Sequence, residues 1–164
     1  MLSTRMENAL NEQINLELQS AYAYLGMSLD MGHAGFAGAA AWLRLQYEEE
    51  LSHAFRIIRH VQDRMGRVHL DSLDAPGDGY DQPLDAFRAA LEHEKRVTEA
   101  IKNLLAIARD EDDTACENLL AWFVDEQVEE EATATAVIAR LELAGSNSAA
   151  VLLVDSELAS RSSG

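Results

Sequence analysis

Apolar residues recur every three or four positions along most of the chain, the period of an amphipathic helix. One stripe runs Leu10, Gln13, Glu17, Ala21, Tyr24, Ser28, Met31, and a second runs Phe36, Ala39, Leu43, Gln46, Glu50, His53, Ile57. A third runs Leu84, Phe87, Leu91, Glu94, Thr98, Ile101, Leu105, Ala108. The fourth runs Leu119, Phe123, Glu126 or Gln127, Glu130, Val137, Leu141. The stripes predict long helices over about 4–31, 36–65, 83–109 and 113–144, and a short fifth over 149–159. The punctuation agrees. Gly32-His33-Ala34-Gly35 reads as a turn, Pro83 suits a first helical turn, Asp110 to Asp113 form an acidic turn that can cap a helix, and Gly145 stops one. No stretch reads as a strand.

The links set the expected topology. Short links join the first helix to the second and the third to the fourth, so each pair is an antiparallel hairpin. The segment 66–82 is longer, at 17 residues. Thirty helical residues rise about 45 Å, and an extended segment of that length reaches at most about 60 Å. It can therefore run the length of the bundle and start the third helix parallel to the second; the alternative is a loose loop at one end.

Composition sharpens this outline. The chain has 164 residues, one domain's worth, with 2 prolines and 6% aromatics, which suits long helices better than a sandwich or barrel. Lys plus Arg is 13 against 29 Asp plus Glu, a formal charge of −16. So acidic a surface disfavours nucleic acid and anionic membranes and admits cations. Cys116 is the single cysteine, so no intrachain disulfide and no Cys-based zinc site is expected. No signal-peptide pattern and no membrane-length apolar run is read, and a cytoplasmic location is expected. Ser160 to Gly164 reads as a short polar tail.

The chemistry lies inside the stripes. Each carries a glutamate near its middle: Glu17, Glu50, Glu94 and Glu130. The midpoint of Glu17 and Glu50 is 33.5, inside the first turn, and that of Glu94 and Glu130 is 112, inside the second. All four carboxylates can therefore share one layer. His53 follows Glu50 by one turn on the same face. Four buried carboxylates without basic partners repel and are costly to desolvate. Two divalent cations remove both problems, and oxygen-rich ligation with one imidazole suits iron or manganese, with zinc a competitor. Taken singly, the features have ordinary readings: Glu-x-x-His is common, Glu129-Glu130-Glu131 suits a solvated face, and Tyr24 and Trp122 suit core packing. Four central glutamates at two matched midpoints outweigh those readings.

The sequence resembles the ferritins, most closely the non-haem ferritins of bacteria. The carrying motifs are Leu10-Asn11-Glu12-Gln13-Ile14-Asn15-Leu16-Glu17 leading to Tyr24, Gly38-Ala39-Ala40-Ala41-Trp42-Leu43-Arg44 leading to Glu49-Glu50-Leu51-Ser52-His53, and Trp122-Phe123-Val124-Asp125-Glu126-Gln127-Val128-Glu129-Glu130-Glu131. The resemblance implies an all-α, ferritin-like up-up-down-down four-helix bundle with a long crossover and a short fifth helix. It implies a first iron site at Glu17, Glu50 and His53, and a second at Glu50, Glu94 and Glu130 with Glu50 bridging. It further implies a third site at Glu49, Glu126 and Glu129 with Glu130 shared, Tyr24 beside the centre, and Gln127 orienting oxygen or water. Glu117 matches one carboxylate of a threefold channel, and Leu120 stands where the other is expected. Gln127 and Glu130 replace the second Glu-x-x-His of bacterioferritins, and Leu51-Ser52 stand where a haem-ligating methionine is needed, so no haem is expected. The implied activity is ferroxidase: Fe(II) is oxidised by O2 or H2O2 and stored as ferric mineral in a shell of 24 copies, the fifth helix lining fourfold axes and the start of the fourth lining threefold channels. A di-iron oxygenase and a metal-free interaction module are the alternatives at this stage.

Overall fold

The computed structural model describes residues 1–77 and 79–161. Five helices follow in order: α1 (Thr4–Ala34), α2 (Ala37–Asp63), α3 (Pro83–Asp110), α4 (Thr114–Ala144) and α5 (Ser148–Leu158). The described residues contain no strand. α1 continues through Gly32, whose cost inside a helix is only about 1 kcal/mol. The reversal is made by Gly35 at φ 92, with the Phe36 amide donating to the Met31 carbonyl at 2.9 Å. The link is thus tighter than the four-residue turn expected. α2 stops at Asp63, where Met65 takes the left-handed position at φ 62.

The helix directions follow from contacts at one end of the bundle. Ser3 and Arg5, at the start of α1, bond Glu111 and Asp110 at the end of α3. Arg64, at the end of α2, bonds Asp113 at the start of α4 at 2.6 Å. In chain order the helices therefore run up, down, down, up. This corrects the up-up-down-down label: with two antiparallel hairpins, the crossover is what makes the middle pair parallel.

α1 itself lashes the crossover down. Asn11 donates to the Arg67 carbonyl at 2.9 Å and accepts from the His69 amide at 2.7 Å. Asn15 donates to the His69 carbonyl at 3.0 Å and accepts from the Asp71 amide at 2.8 Å. Gln19 bonds both backbone groups of Asp74, and Asp30 accepts from the amides of Gly79 and Tyr80. Four helical residues rise about 6.0 Å and two extended residues about 6.6 Å, so Asn11 and Asn15, spaced i, i+4, meet loop residues two apart, and Gln19 continues the row at Asp74. The segment therefore runs along the bundle rather than hanging loose at one end.

Two apolar clusters fill the interior. One contains Met31, Leu43, Phe87 and Leu141, and the other Leu10, Ile57, Ile101 and Phe123. A polar layer separates them. The buried face of α3 differs from the stripe drawn above: Ala86, Ala90, Val97 and Leu104 face inward, while Leu84, Leu91 and Leu105 are half-buried. The alanines permit close helix approach, and the leucines flank the contact. Leu120 is fully buried and belongs to the core, so it lines no channel within this chain, and Glu117 lies 3.6 Å from Arg109.

α5 closes the end opposite the acidic turn. Phe36 provides no side-chain cap for α2. Asp155 does so from α5, accepting from the Gly38 amide at 3.0 Å and the Ala39 amide at 2.7 Å. A Cβ on Gly38 would lie 1.7 Å from the Asp155 carbonyl oxygen, so the approach requires glycine there.

Candidate metal centre

The polar layer is built from one short segment of each long helix. Glu17 comes from α1, Glu50 and His53 from α2, Glu94 from α3, and Gln127 and Glu130 from α4. Their exposures are 0%, 1%, 4%, 1%, 3% and 6%, and Tyr24 is 1% exposed beside them. Their neighbours are apolar above and below, so each carboxylate is withdrawn from water without a Lys or Arg to pair it.

The layer has two unlike halves. In the first, His53 Nδ1 lies 3.6 Å from Glu50 Oε2 and 4.0 Å from Glu17 Oε2. Glu17 Oε2 and both carboxylate oxygens of Glu50 are buried without a hydrogen-bond partner. Gln13 satisfies only the other oxygen of Glu17, donating at 2.7 Å. Separations of 3.6 and 4.0 Å are too long for strong hydrogen bonds. They suit ligand atoms gathered around one ion with bonds of about 2 Å. Glu17, Glu50 and His53 can together hold a metal ion.

In the second half every carboxylate has a donor. Tyr24 Oη donates to Glu94 Oε1. Gln127 Nε2 donates to Glu94 Oε2 and to the Glu94 carbonyl, both at 3.1 Å. Gln46 Nε2 donates to Glu130 Oε2 at 2.9 Å. Gln127 thus holds Glu94 from both its backbone and its side chain.

Burial sets the electrostatics. It pushes the Glu17 carboxyl well above its ordinary range, and the charge of Glu50 pushes it further. Glu50 is raised by burial first and then by Glu94. Glu94 is raised by burial against the pull of Tyr24 and Gln127, and Glu130 is pushed up to about 7 by burial and then by Glu94. Tyr24 is raised by burial and by Glu94, so it stays protonated and donates. Without a cation the layer prefers to hold protons; a metal substitutes for them.

The outer acids separate. Glu126 is half-buried and, with His53 and Glu130, forms a second group able to hold a metal ion. Glu49 is bonded to Arg161 at 2.7 Å. Glu129 is exposed on α4 and joins neither group. Trp122 is half-buried rather than a core residue: its ring meets those of His53 and Phe123 edge-on, and Arg56 covers its face at 3.9 Å. Sequence reasoning assigned no role to Gln13, Gln46 or Arg161. The two glutamines did lie on the helical stripes, a signal that polar layers extend beyond the charged residues. His93, also unforeseen, is buried with neither ring nitrogen partnered; burial and Arg96 lower it to about 4.

The ferritin-like domain model matches residues 7–144. The chain belongs to the ferritin family. A bacterial non-heme ferritin of Bacteroides fragilis (strain 638R) is 38% identical over 161 residues, covering 98% of this chain and 100% of that protein. A bacterial non-heme ferritin of Staphylococcus epidermidis is 36% identical, covering 99% of this chain and 98% of that one. Among solved structures, an open-pore ferritin from the hyperthermophilic archaeon Archaeoglobus fulgidus superposes with a TM-score of 0.97 at 42% identity, over 99% of this chain and 100% of its own. The ferritin four-helix bundle and its short fifth helix thus extend over the whole described chain. No described helix is long and apolar enough to cross a membrane.

Proposed function

We propose that the protein stores iron, oxidising Fe(II) at a paired centre inside each chain and collecting the ferric product as mineral in a hollow shell of 24 copies in the cytoplasm. Family membership and the non-heme ferritin relatives support iron storage. The observation that carries the catalytic part is the set of three partnerless buried carboxylate oxygens around His53. An isolated buried carboxylate costs several kcal/mol, which a bound cation offsets.

In this reading Glu17, Glu50 and His53 bind the first Fe(II), and Glu50, Glu94 and Glu130 bind the second. O2 or H2O2 is the oxidant: each iron gives up one electron, and the two electrons with two protons reduce O2 to H2O2, or H2O2 to two waters. The carboxylates favour Fe(III) over Fe(II) because charge on the metal rises. Tyr24 and Gln127 fix the direction of Glu94 as the charge changes. With neutral Gln127 in place of a further anionic or imidazole ligand, Glu50 alone bridges, which suits an iron that passes through. Glu126, together with Glu49 and Glu129, forms the path toward the cavity.

The test is aerobic Fe(II) addition followed by ferric absorbance, with size-exclusion chromatography of the apo protein. A large hollow assembly that oxidises many irons per chain supports the reading. A small oligomer that turns over a separate organic substrate, or stability indifferent to metal and chelator, would overturn it.

A further inference from the structure

Beside the ligand layer a protein cation already holds one of the outer acids. Arg161 follows α5 and turns back onto α2. One guanidinium nitrogen donates to Gln46 Oε1 at 2.6 Å, and the other donates to Glu49 Oε2 at 2.7 Å. The guanidinium carbon lies 4.3 Å from the Trp42 ring centroid. The root of this arm is anchored, because Val154 and Leu158 are buried and Asp155 caps α2.

Gln46 makes the contact matter inside the layer. Its carbonyl oxygen accepts from Arg161, so its amide nitrogen must face the other way, and that nitrogen donates to Glu130 Oε2 at 2.9 Å. A single guanidinium therefore neutralises Glu49 directly and sets the direction of Glu130 through one amide. The Arg161–Glu49 pair is partly shielded, with side-chain exposures of 22% and 30%. Two cations at one carboxylate repel each other, and Arg161 already takes Oε2, so the Arg161 contact weakens metal ligation by Glu49.

We propose that Arg161 is a displaceable placeholder at the third cation site: it occupies Glu49 until an ion leaving the paired centre takes that carboxylate and the arm swings away from Trp42. The proposal rests on the iron-handling reading above and adds a gate set by the C-terminal arm. No bond is made or broken; a guanidinium and a metal ion exchange one carboxylate. Arg161 is a positioning residue, acting through Gln46 and Glu49.

Redox-inert Zn(II) tests this on the full chain carrying Trp122→Phe, which leaves Trp42 as the only tryptophan of the 2. Calorimetry counts ions while Trp42 emission reports the arm. Two tight ions should bind with little change in emission, and a third should shift it. Arg161→Ala and Arg161→Gln should bind the third ion about five- to tenfold tighter, since the competent state no longer competes with a closed one, and should show no emission shift. Arg161→Lys should restore part of the competition. A third-ion affinity unchanged or weakened in Arg161→Ala and Arg161→Gln, or a silent Trp42 when Arg161 is intact, overturns the placeholder while the two tight ions leave the paired centre standing. Absence of two tight ions in every variant sinks the paired centre and the placeholder together.

Discussion

The two halves of the buried layer use the same residue type in opposite ways. Around Glu17, Glu50 and His53, three carboxylate oxygens face each other without donors. Around Glu94 and Glu130, Tyr24, Gln127 and Gln46 supply donors. All four carboxylates are buried, at 0% to 6% exposure, so burial alone does not separate the halves. The difference lies in who compensates the charge: the protein in the second half and, on the proposed reading, an incoming cation in the first. A half left uncompensated gains most from metal, and a half already hydrogen-bonded gains less. The first half should therefore fill first and bind more tightly, although the second is the better-formed part of the fold.

The largest expected effect removes what the halves share. On the proposed reading, Glu50→Ala takes a ligand from both ions. Loss of a residue that merely supports a ligand costs about 10–100-fold, so fast ferric absorbance should fall by roughly 100-fold or more, and unchanged rates would refute the assignment. His53→Ala should abolish the first half alone and leave one tight Zn(II) per chain.

Next in size is the dependence of stability on pH. The layer's carboxyls are raised above their unfolded values, so the folded apo protein holds more protons and its stability falls as pH rises. Stability from Glu130 is full below about 4.5, the ordinary value, and is lost as pH rises through about 7. Denaturant melts of apo protein at pH 5 and 8 should differ by on the order of several kcal/mol in favour of pH 5. Saturating Zn(II) should reverse the sign, because its ligands must be deprotonated.

A smaller effect sharpens the contrast by giving it opposite signs. Glu17→Gln puts an amide beside the partnerless oxygens of Glu50 and should stabilise the apo protein by about 1–2 kcal/mol. Glu94→Gln replaces one of two acceptor oxygens by a donor, so either Gln127 or Tyr24 loses its acceptor, and it should destabilise the apo protein by about 1–2 kcal/mol. Equal signs in chemical denaturation would erase the distinction between the halves. The smallest effect is that of Tyr24→Phe, which strips one donor from Glu94 and should cost about 1 kcal/mol. The first tight Zn(II) should be unaffected by it and the second weakened by about fivefold.

Legibility varied with how local the signal was. The helices, the hairpins and the level of the four glutamates could be read because helical periodicity and link length are local quantities. The buried face of α3 slid by one position because Leu84, Leu91 and Leu105 obey the same period as Ala86, Ala90 and Val97, and only the closeness of the neighbouring helices selects the alanines. The role of Asn11, Asn15 and Gln19 in holding the crossover was not legible along the chain, since their partners sit 54 to 58 positions away. Asp155 as the cap of α2 and Gly38 as its point of contact were hidden for the same reason.

The sequence alone determined that four helices bring one carboxylate each to a common layer, because that needs only the 3.6-residue period and two turns of known position. It also determined that the layer lacks basic partners, because few Lys or Arg fall on the stripes. Tertiary structure decided which oxygens stay unpaired, that Gln127 bonds Glu94, that Glu129 is exposed, and that Arg161 reaches Glu49 across a separation of 112 positions. Those choices depend on side-chain directions and angstrom-scale separations between distant segments, which no periodicity along one helix encodes.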